Sequence, residues 1–278
     1  VSPSESAAPV DAEPHQGLYL YGLCLGAPTV APPAGVDGSA AVEALPVGGL
    51  VALVSWIDPG PFRCEGNARD PAWVVPRACR HQEVLAAVLD EQPLLPVRFG
   101  AVFSSPAVLE DLLAGHQHEV REFLERSAGQ EEWDVKLLRE RGAAEARAVE
   151  MDPVLRERAR RMPAAPGARY LLEKQFRADA EKAAWRRALA AAGSLHAALG
   201  RQAADSRPGA RPAAGRAGPA APETVMHGVY LVPRERLSDF LAGVEGFTRE
   251  HEGEGLRAAA TGPWPPFHFA PTLGGSGG

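Results

Sequence analysis

The stretch Gly17-Leu-Tyr-Leu-Tyr-Gly-Leu-Cys-Leu25 is apolar or aromatic at odd and even positions alike. A strand with one wet face alternates, so this pattern predicts a strand buried on two faces. Gly48-Gly-Leu-Val-Ala-Leu-Val-Ser-Trp-Ile57 has the same character and stops at Asp58-Pro-Gly60. It is predicted as a second strand of the same kind, with Pro28 to Gly38 a loop between them. Before Gly17 the chain carries Glu5, Asp11 and Glu13 but no Lys or Arg. That is the charge of a disordered tail over 1–16 and not of a secretory leader.

Beyond the two strands the apolar period becomes helical. Val75, Ala78, Gln82, Leu85, Val88 and Leu89 share one stripe between Trp73 and Leu89. Pro93 stops that helix, and Leu94-Leu-Pro-Val-Arg-Phe99 is predicted as a strand with a turn at Gly100. Ser105-Pro106 is an N-cap signal with Pro in the first helical turn. It opens a helix that buries Leu109, Leu112, Leu113, Val120, Phe123 and Leu124 and ends at Gly129.

From residue 131 strands and helices alternate. Glu131 to Leu138 reads as a strand with Trp133, Val135 and Leu137 inward. Arg139 to Met162 is rich in Arg and Glu and predicts a solvated helical connection. A long helix follows over Gly167 to Leu199. Arg201 to Pro222 consists almost wholly of Ala, Pro, Gly and Arg, which predicts a low-complexity linker. Val225 to Val232 is a strand, Leu237 to Phe247 a helix, and Gly255 to Ala260 a last strand. The order implies a ferredoxin-like sandwich. The expected fold class is α+β with two domains, an N-terminal α/β domain over 17–129 and a C-terminal ferredoxin-like α+β domain over 130–269. Long helices join them through the connection 139–200, the insert spans 201–222, and 270–278 is a flexible tail.

The totals narrow the function. Of 278 residues, 45% are hydrophobic and 23% charged, with a net charge of −6, whereas general nucleic-acid binding needs a basic field. The longest apolar stretch, near Leu50 to Ile57, is far short of the ~20 residues of a membrane span. Three scattered cysteines, Cys24, Cys64 and Cys79, suit a reducing compartment, so a cytoplasmic location is expected.

Catalytic, cofactor and metal sites find no support in the pattern. Gly274-Gly-Ser-Gly-Gly278 is expected as tail and not as a strand-to-helix nucleophile elbow, and no Walker-type Lys follows a Gly-rich turn. Cys79-Arg-His81 and His116-Gln-His118 place their ligands two residues apart, on different faces of a helix. His81 is expected as a structural residue. Arg98 lies within the apolar run Pro96 to Gly100. It is either a surface position of an alternating strand or an arginine that fixes a loop or a partner carboxylate. Thr261-Gly-Pro-Trp-Pro-Pro-Phe-His-Phe269 is stiff and extended, and it either docks on its own domain or meets a partner. The candidate partner-binding residues are Arg98, Phe99, Trp264 and Phe267.

Five segments carry a resemblance: Gly17 to Gly22, Leu94-Leu-Pro-Val-Arg-Phe-Gly100, Glu131-Glu-Trp-Asp-Val-Lys136, Gly167-Ala-Arg-Tyr-Leu171 and Thr261-Gly-Pro-Trp-Pro-Pro-Phe267. Together, and in this order, the chain resembles the gas vesicle protein F/L family. The resemblance implies an accessory role in gas vesicle formation, in the cytoplasm or at the vesicle. It also implies binding to the small hydrophobic shell protein and to other gas vesicle accessory proteins, as assembly factor or minor structural component, without catalysis. An enzyme on a ferredoxin-like scaffold is the alternative class, and a nucleic-acid-binding module is a third.

Overall fold

A computed structural model describes residues 16–162, 166–209 and 221–273, with the side chains of 166–169 excepted. The expected tails fall largely outside the described residues, as do residues 210–220 of the low-complexity insert. Helices and strands mix throughout and both sheets are antiparallel, so the fold class is α+β. The chain divides into two compact units. One takes in residues up to Ala128 together with Pro265 onward, and the other runs from Gly129 to Trp264.

In the first unit, β1 (Gly17–Cys24) lies inside the sheet and every one of its residues is buried. β2 (Glu43–Val47) and β3 (Leu50–Ile57) flank one side of it, with β3 against β1. Gly48 and Gly49 both have positive φ and make the β2–β3 turn instead of opening a strand. β2 was not expected, because Glu-Ala-Leu-Pro-Val is short and has a Pro within it. As an edge strand it needs only one buried face, and Pro46 is tolerated there.

Two short helical turns, α1 (Gly60–Arg63) and α2 (Glu65–Arg69), precede α3 (Pro71–Leu89). The Asp70 side chain caps α3 by accepting from the Ala72 N–H at 2.9 Å. Its buried stripe is His81, Val84, Leu85 and Val88. Val75, expected inward, is 55% exposed. The helix starts earlier than its apolar period, so its first turns overhang the core. The expected helix after Ser105 is two, α4 (Pro106–Ala114) and α5 (Gln117–Ser127), broken at Gly115 and His116.

The other side of β1 carries an interrupted strand. β4 (Leu95–Pro96) pairs with Leu23 and Gly22, and β5 (Val102–Phe103) pairs with Tyr19 and Leu18. Leu94 to Phe99 is therefore not one strand. After Val97, whose N–H still reaches the Tyr21 carbonyl, the chain leaves the ladder and rejoins it at Ala101.

In the second unit, β6 (Gln130–Arg139) leads to α6 (Arg141–Met151), α7 (Pro153–Arg160) and the long α8 (Pro166–Gly200). Then come β7 (Asp205–Pro208), β8 (Glu223–Pro233), α9 (Leu237–His251) and β9 (Leu256–Trp264). The sheet order is β7-β8-β6-β9, so β6 lies between β8 and β9, which follow it in the chain. Ala188, Ala192, Leu195 and Leu199 of α8 meet Val135, Tyr230, Phe240 and Leu256 in the main core. The connection 139–162 is less solvated than its charge implied. Ala144, Ala148 and Leu155 form a second small core with Ala180, Ala183 and Ala184 of α8. Small side chains bring these helices close without bulk. Arg139 is fully buried, with its guanidinium 4.4 Å from the Trp185 ring and paired with Glu223.

Two further expectations are corrected. Asp205–Pro208, placed in the linker by composition, pairs with Gly228 to Leu231. An edge strand can be held by backbone hydrogen bonds without an apolar face, and its polar side chains protect the edge. β9 runs on through Gly262 and Pro263 to Trp264, since an edge strand accommodates Pro where an interior one does not. The second unit runs to Trp264.

Gly22 sits where β1 meets β4. A Cβ there would lie 2.7 Å from the Leu95 carbonyl oxygen and 2.8 Å from Leu94 Cδ1. Backbone cannot yield as a flexible side chain does, so Gly22→Ala is expected to cost about 2 kcal/mol. Urea unfolding would show it as a lower midpoint with an unchanged slope.

Candidate functional site

The interrupted edge strand builds the site. The Val97 N–H donates to the Tyr21 carbonyl at 2.8 Å, and the Leu20 N–H donates to the Ala101 carbonyl at 3.0 Å. Tyr21 and Leu20 are consecutive, so Arg98, Phe99 and Gly100 are extruded between Val97 and Ala101 as a bulge. Bulges re-aim side chains, and they concentrate at functional positions. Gly100 has a φ of +96°, a conformation that a residue with a Cβ rarely adopts.

Three buried groups hold the bulge. The His81 Nε2–H donates to the Val97 carbonyl at 3.0 Å, since a carbonyl only accepts. Nδ1 is then the acceptor, and the Tyr19 hydroxyl donates to it at 2.9 Å. The same hydroxyl oxygen accepts the Gly100 N–H at 3.2 Å. Tyr21, on the same face of β1, treats a second loop in the same way. Its oxygen accepts the Val36 N–H at 2.7 Å, and it donates to Ser55 Oγ, which itself donates to the Ala41 carbonyl.

Burial lowers the His81 pKa to about 4, and the Val97 carbonyl only partly offsets this. Burial also raises both tyrosines and pushes the Cys24 thiol up to about 12. His81 is thus a neutral, structural imidazole with both nitrogens engaged, as its sequence context implied. Cys24 is a core residue, whereas Cys64 and Cys79 are exposed and unbridged.

The four candidate partner residues fall in three places. The Phe99 ring is half-buried and turns into an aromatic cluster, 6.0 Å from His81, 6.2 Å from Phe62 and 6.3 Å from Tyr19. Its contacts are those of a packing residue. Arg98 turns outward and is exposed, and no carboxylate pairs with it among the described residues. It lines a cavity of about 320 Å³ with Leu95, Pro96, Phe267, Ala270 and Leu273. Phe267 also packs on the first unit's core. The prolines preset its turn: the Phe267 N–H donates to the Pro265 carbonyl and the Ala270 N–H to that of Pro266. Pro265, Pro266 and Phe269 are buried, so this stretch docks within its own unit. Trp264 is 44% exposed at the end of β9, in the second unit. The sequence brought out Arg98 and Phe267 separately. Nothing in it showed that Ala270 to Leu273, expected as tail, wall the same groove.

The neutral His81 couples stability to pH. Its folded pKa of about 4 lies below the usual 6.5, so the unfolded chain binds the proton more tightly. The stabilisation is complete above pH 6.5 and is lost as pH falls from 6.5 to 4, a total of roughly 3 kcal/mol. His81→Gln is expected to be less stable at pH 7 and to lose this part of the acid dependence. Denaturant unfolding at stepped pH measures both.

The family model described as gas vesicle synthesis protein GvpL/GvpF matches residues 17–271. Gas vesicle protein L of a Streptomyces species is 31% identical over 227 residues, covering 80% of either chain. Gas vesicle protein L2 of Halobacterium salinarum is 28% identical, over 98% of this chain and 97% of that one. The crystal structures of GvpF from Anabaena and from Microcystis aeruginosa share the fold. Their TM-scores are 0.70 and 0.64, each at 20% identity and over 92% of this chain and 99% of the other. No helix among the described residues is long and apolar enough to cross a membrane. With a match spanning both units, this chain belongs to the GvpL/GvpF family of gas vesicle synthesis proteins.

Proposed function

We propose that this protein, working in the cytoplasm and at the growing vesicle, binds the hydrophobic shell protein and other accessory proteins during gas vesicle formation. Family membership supports the role in vesicle formation. The observation that carries the binding reading is Arg98: an exposed guanidinium without a carboxylate among the described residues, set beside an apolar groove on a braced bulge.

That combination fits a partner segment with an apolar side chain next to a carboxylate. The groove takes the apolar group out of water, which contributes about 25 cal/mol per Å² buried. The planar guanidinium binds a carboxylate through two parallel hydrogen bonds and sets the register. Because the tyrosine–histidine network already holds the bulge, little ordering entropy is lost on binding. A shell subunit with exposed apolar surface would associate indiscriminately, and covering part of that surface would keep it competent to assemble. The reading is non-catalytic and uses His81 as a brace.

Arg98→Glu reverses the charge at an exposed site, so its effect on stability is expected to stay within ~0.5 kcal/mol. Its co-purification with the shell protein is expected to fall at least ten-fold, and vesicle yield to fall with it. Undiminished shell binding in that variant, or normal vesicles after deletion of the gene, would overturn the reading.

A further inference from the structure

The second unit has an apolar surface that its own core does not use. Along α7 and the first turns of α8, Val154 is 66% exposed, Leu171 69% and Leu172 42%. Val154, Met162, Leu172 and Phe176 line a cavity of about 470 Å³ between the two helices. The helices run antiparallel there. The α7 end near Met162 lies by Leu172, and the start of α7 lies by Ala178 to Arg186. An Arg158–Asp179 ion pair of 2.7 Å ties them together.

The charge beside this groove is opposite to that of the whole chain. Residues 153–161 hold Arg156, Arg158, Arg160 and Arg161 against the single acid Glu157, in a protein of net charge −6. Arg161 projects into solvent, 79% exposed, with Glu157 as its i,i+4 partner. At physiological salt a charge is felt over ~8 Å. An approaching segment therefore meets the arginines and not the net charge. A second copy docking by this same face would set guanidinium against guanidinium. The complementary ligand is apolar on one stripe and acidic beside it.

We infer that the α7–α8 groove is a docking site for an amphipathic helix of another protein, with an apolar stripe flanked by Asp or Glu. A third helix laid along two antiparallel ones completes ridge-into-groove packing. The length of α7 matches about two turns of such a helix, or ~12 Å. This site lies on a different unit from the Arg98 groove, so the inference does not depend on which partner occupies that groove. It makes the protein an adaptor with two separately mutable contacts.

The test uses the full chain and two stapled helical peptides of about 14 residues, a length at which an unstapled helix is marginal. Both carry Leu at i, i+3, i+4 and i+7. One is flanked by Glu and the other by Lys. Fluorescence anisotropy is expected to show the Glu peptide binding at least ten-fold more tightly than the Lys peptide, and more weakly at high salt. Leu172→Asp, at an exposed site, and the pair Arg160→Glu with Arg161→Glu should each weaken the Glu peptide at least ten-fold. Both variants should leave the melting temperature and Arg98-dependent shell binding unchanged. Equal binding of the two peptides, no binding of either, or full binding by both variants would overturn the inference. Loss of shell binding in Leu172→Asp would also count against it, because the two contacts would not be separate.

Discussion

The first unit depends on how β1 satisfies two buried phenols. Tyr19 and Tyr21 lie on a strand with no exposed residue, and an unpaired hydroxyl in such a place costs roughly 1–3 kcal/mol. Each hydroxyl therefore takes a partner from outside the sheet. Tyr21 holds the loop directly at Val36 and reaches Ala41 through Ser55, while Tyr19 holds the Arg98 bulge directly at Gly100 and reaches Val97 through His81. Hydrogen bonding that begins as a requirement of burial ends by deciding where a loop sits. The imidazole completes the arrangement, because its two nitrogens join the Tyr19 hydroxyl, a donor, to the Val97 carbonyl, an acceptor. It does so only while neutral, and its depressed pKa follows from the same burial.

The second unit solves a different problem. Its sheet is covered by the C-terminal half of α8 and by α9, while the N-terminal half of α8 extends along α6 and α7. The contacts there are mostly alanines, which allow close packing but bury little area per residue. Buried Arg139 joins this helical part to the sheet, stacked on Trp185 from α8 and paired with Glu223 from β8. Val154 of α7 and Leu171 and Leu172 in the first turns of α8 are left facing outward.

Much of this was legible in the residues, because burial on two faces and helical periodicity leave strong patterns. β1, β6, β8 and α9 were recognisable from such runs, and so was the α+β class. The misses share a cause: backbone pairing leaves little trace in side chains. β2 and β7 are edge strands held by main-chain hydrogen bonds, so their composition resembled loop. The bulge at Arg98 resembled a continuous strand, because Val97 and Phe99 are apolar and the extrusion depends on contacts to Tyr19 and His81, far off in sequence. Arg98 could be singled out as a charge in an apolar run, but its groove could not, since Phe267 and Leu273 reach it only through the tertiary fold. Phe99 turns into the aromatic cluster while its neighbour Arg98 is exposed, a difference set by contacts to His81 and Tyr19 that adjacency in sequence does not show.

The contact proposed for the vesicle shell protein joins a braced bulge, an unpaired arginine and an apolar groove. Cross-linking with mass spectrometry in cells that are forming vesicles tests this most directly. The account requires links from the shell protein to cluster in the first unit around Arg98 and the 265–273 segment, and to diminish in Arg98→Glu. Shell-protein links confined to other surfaces and unaffected by that substitution would contradict it.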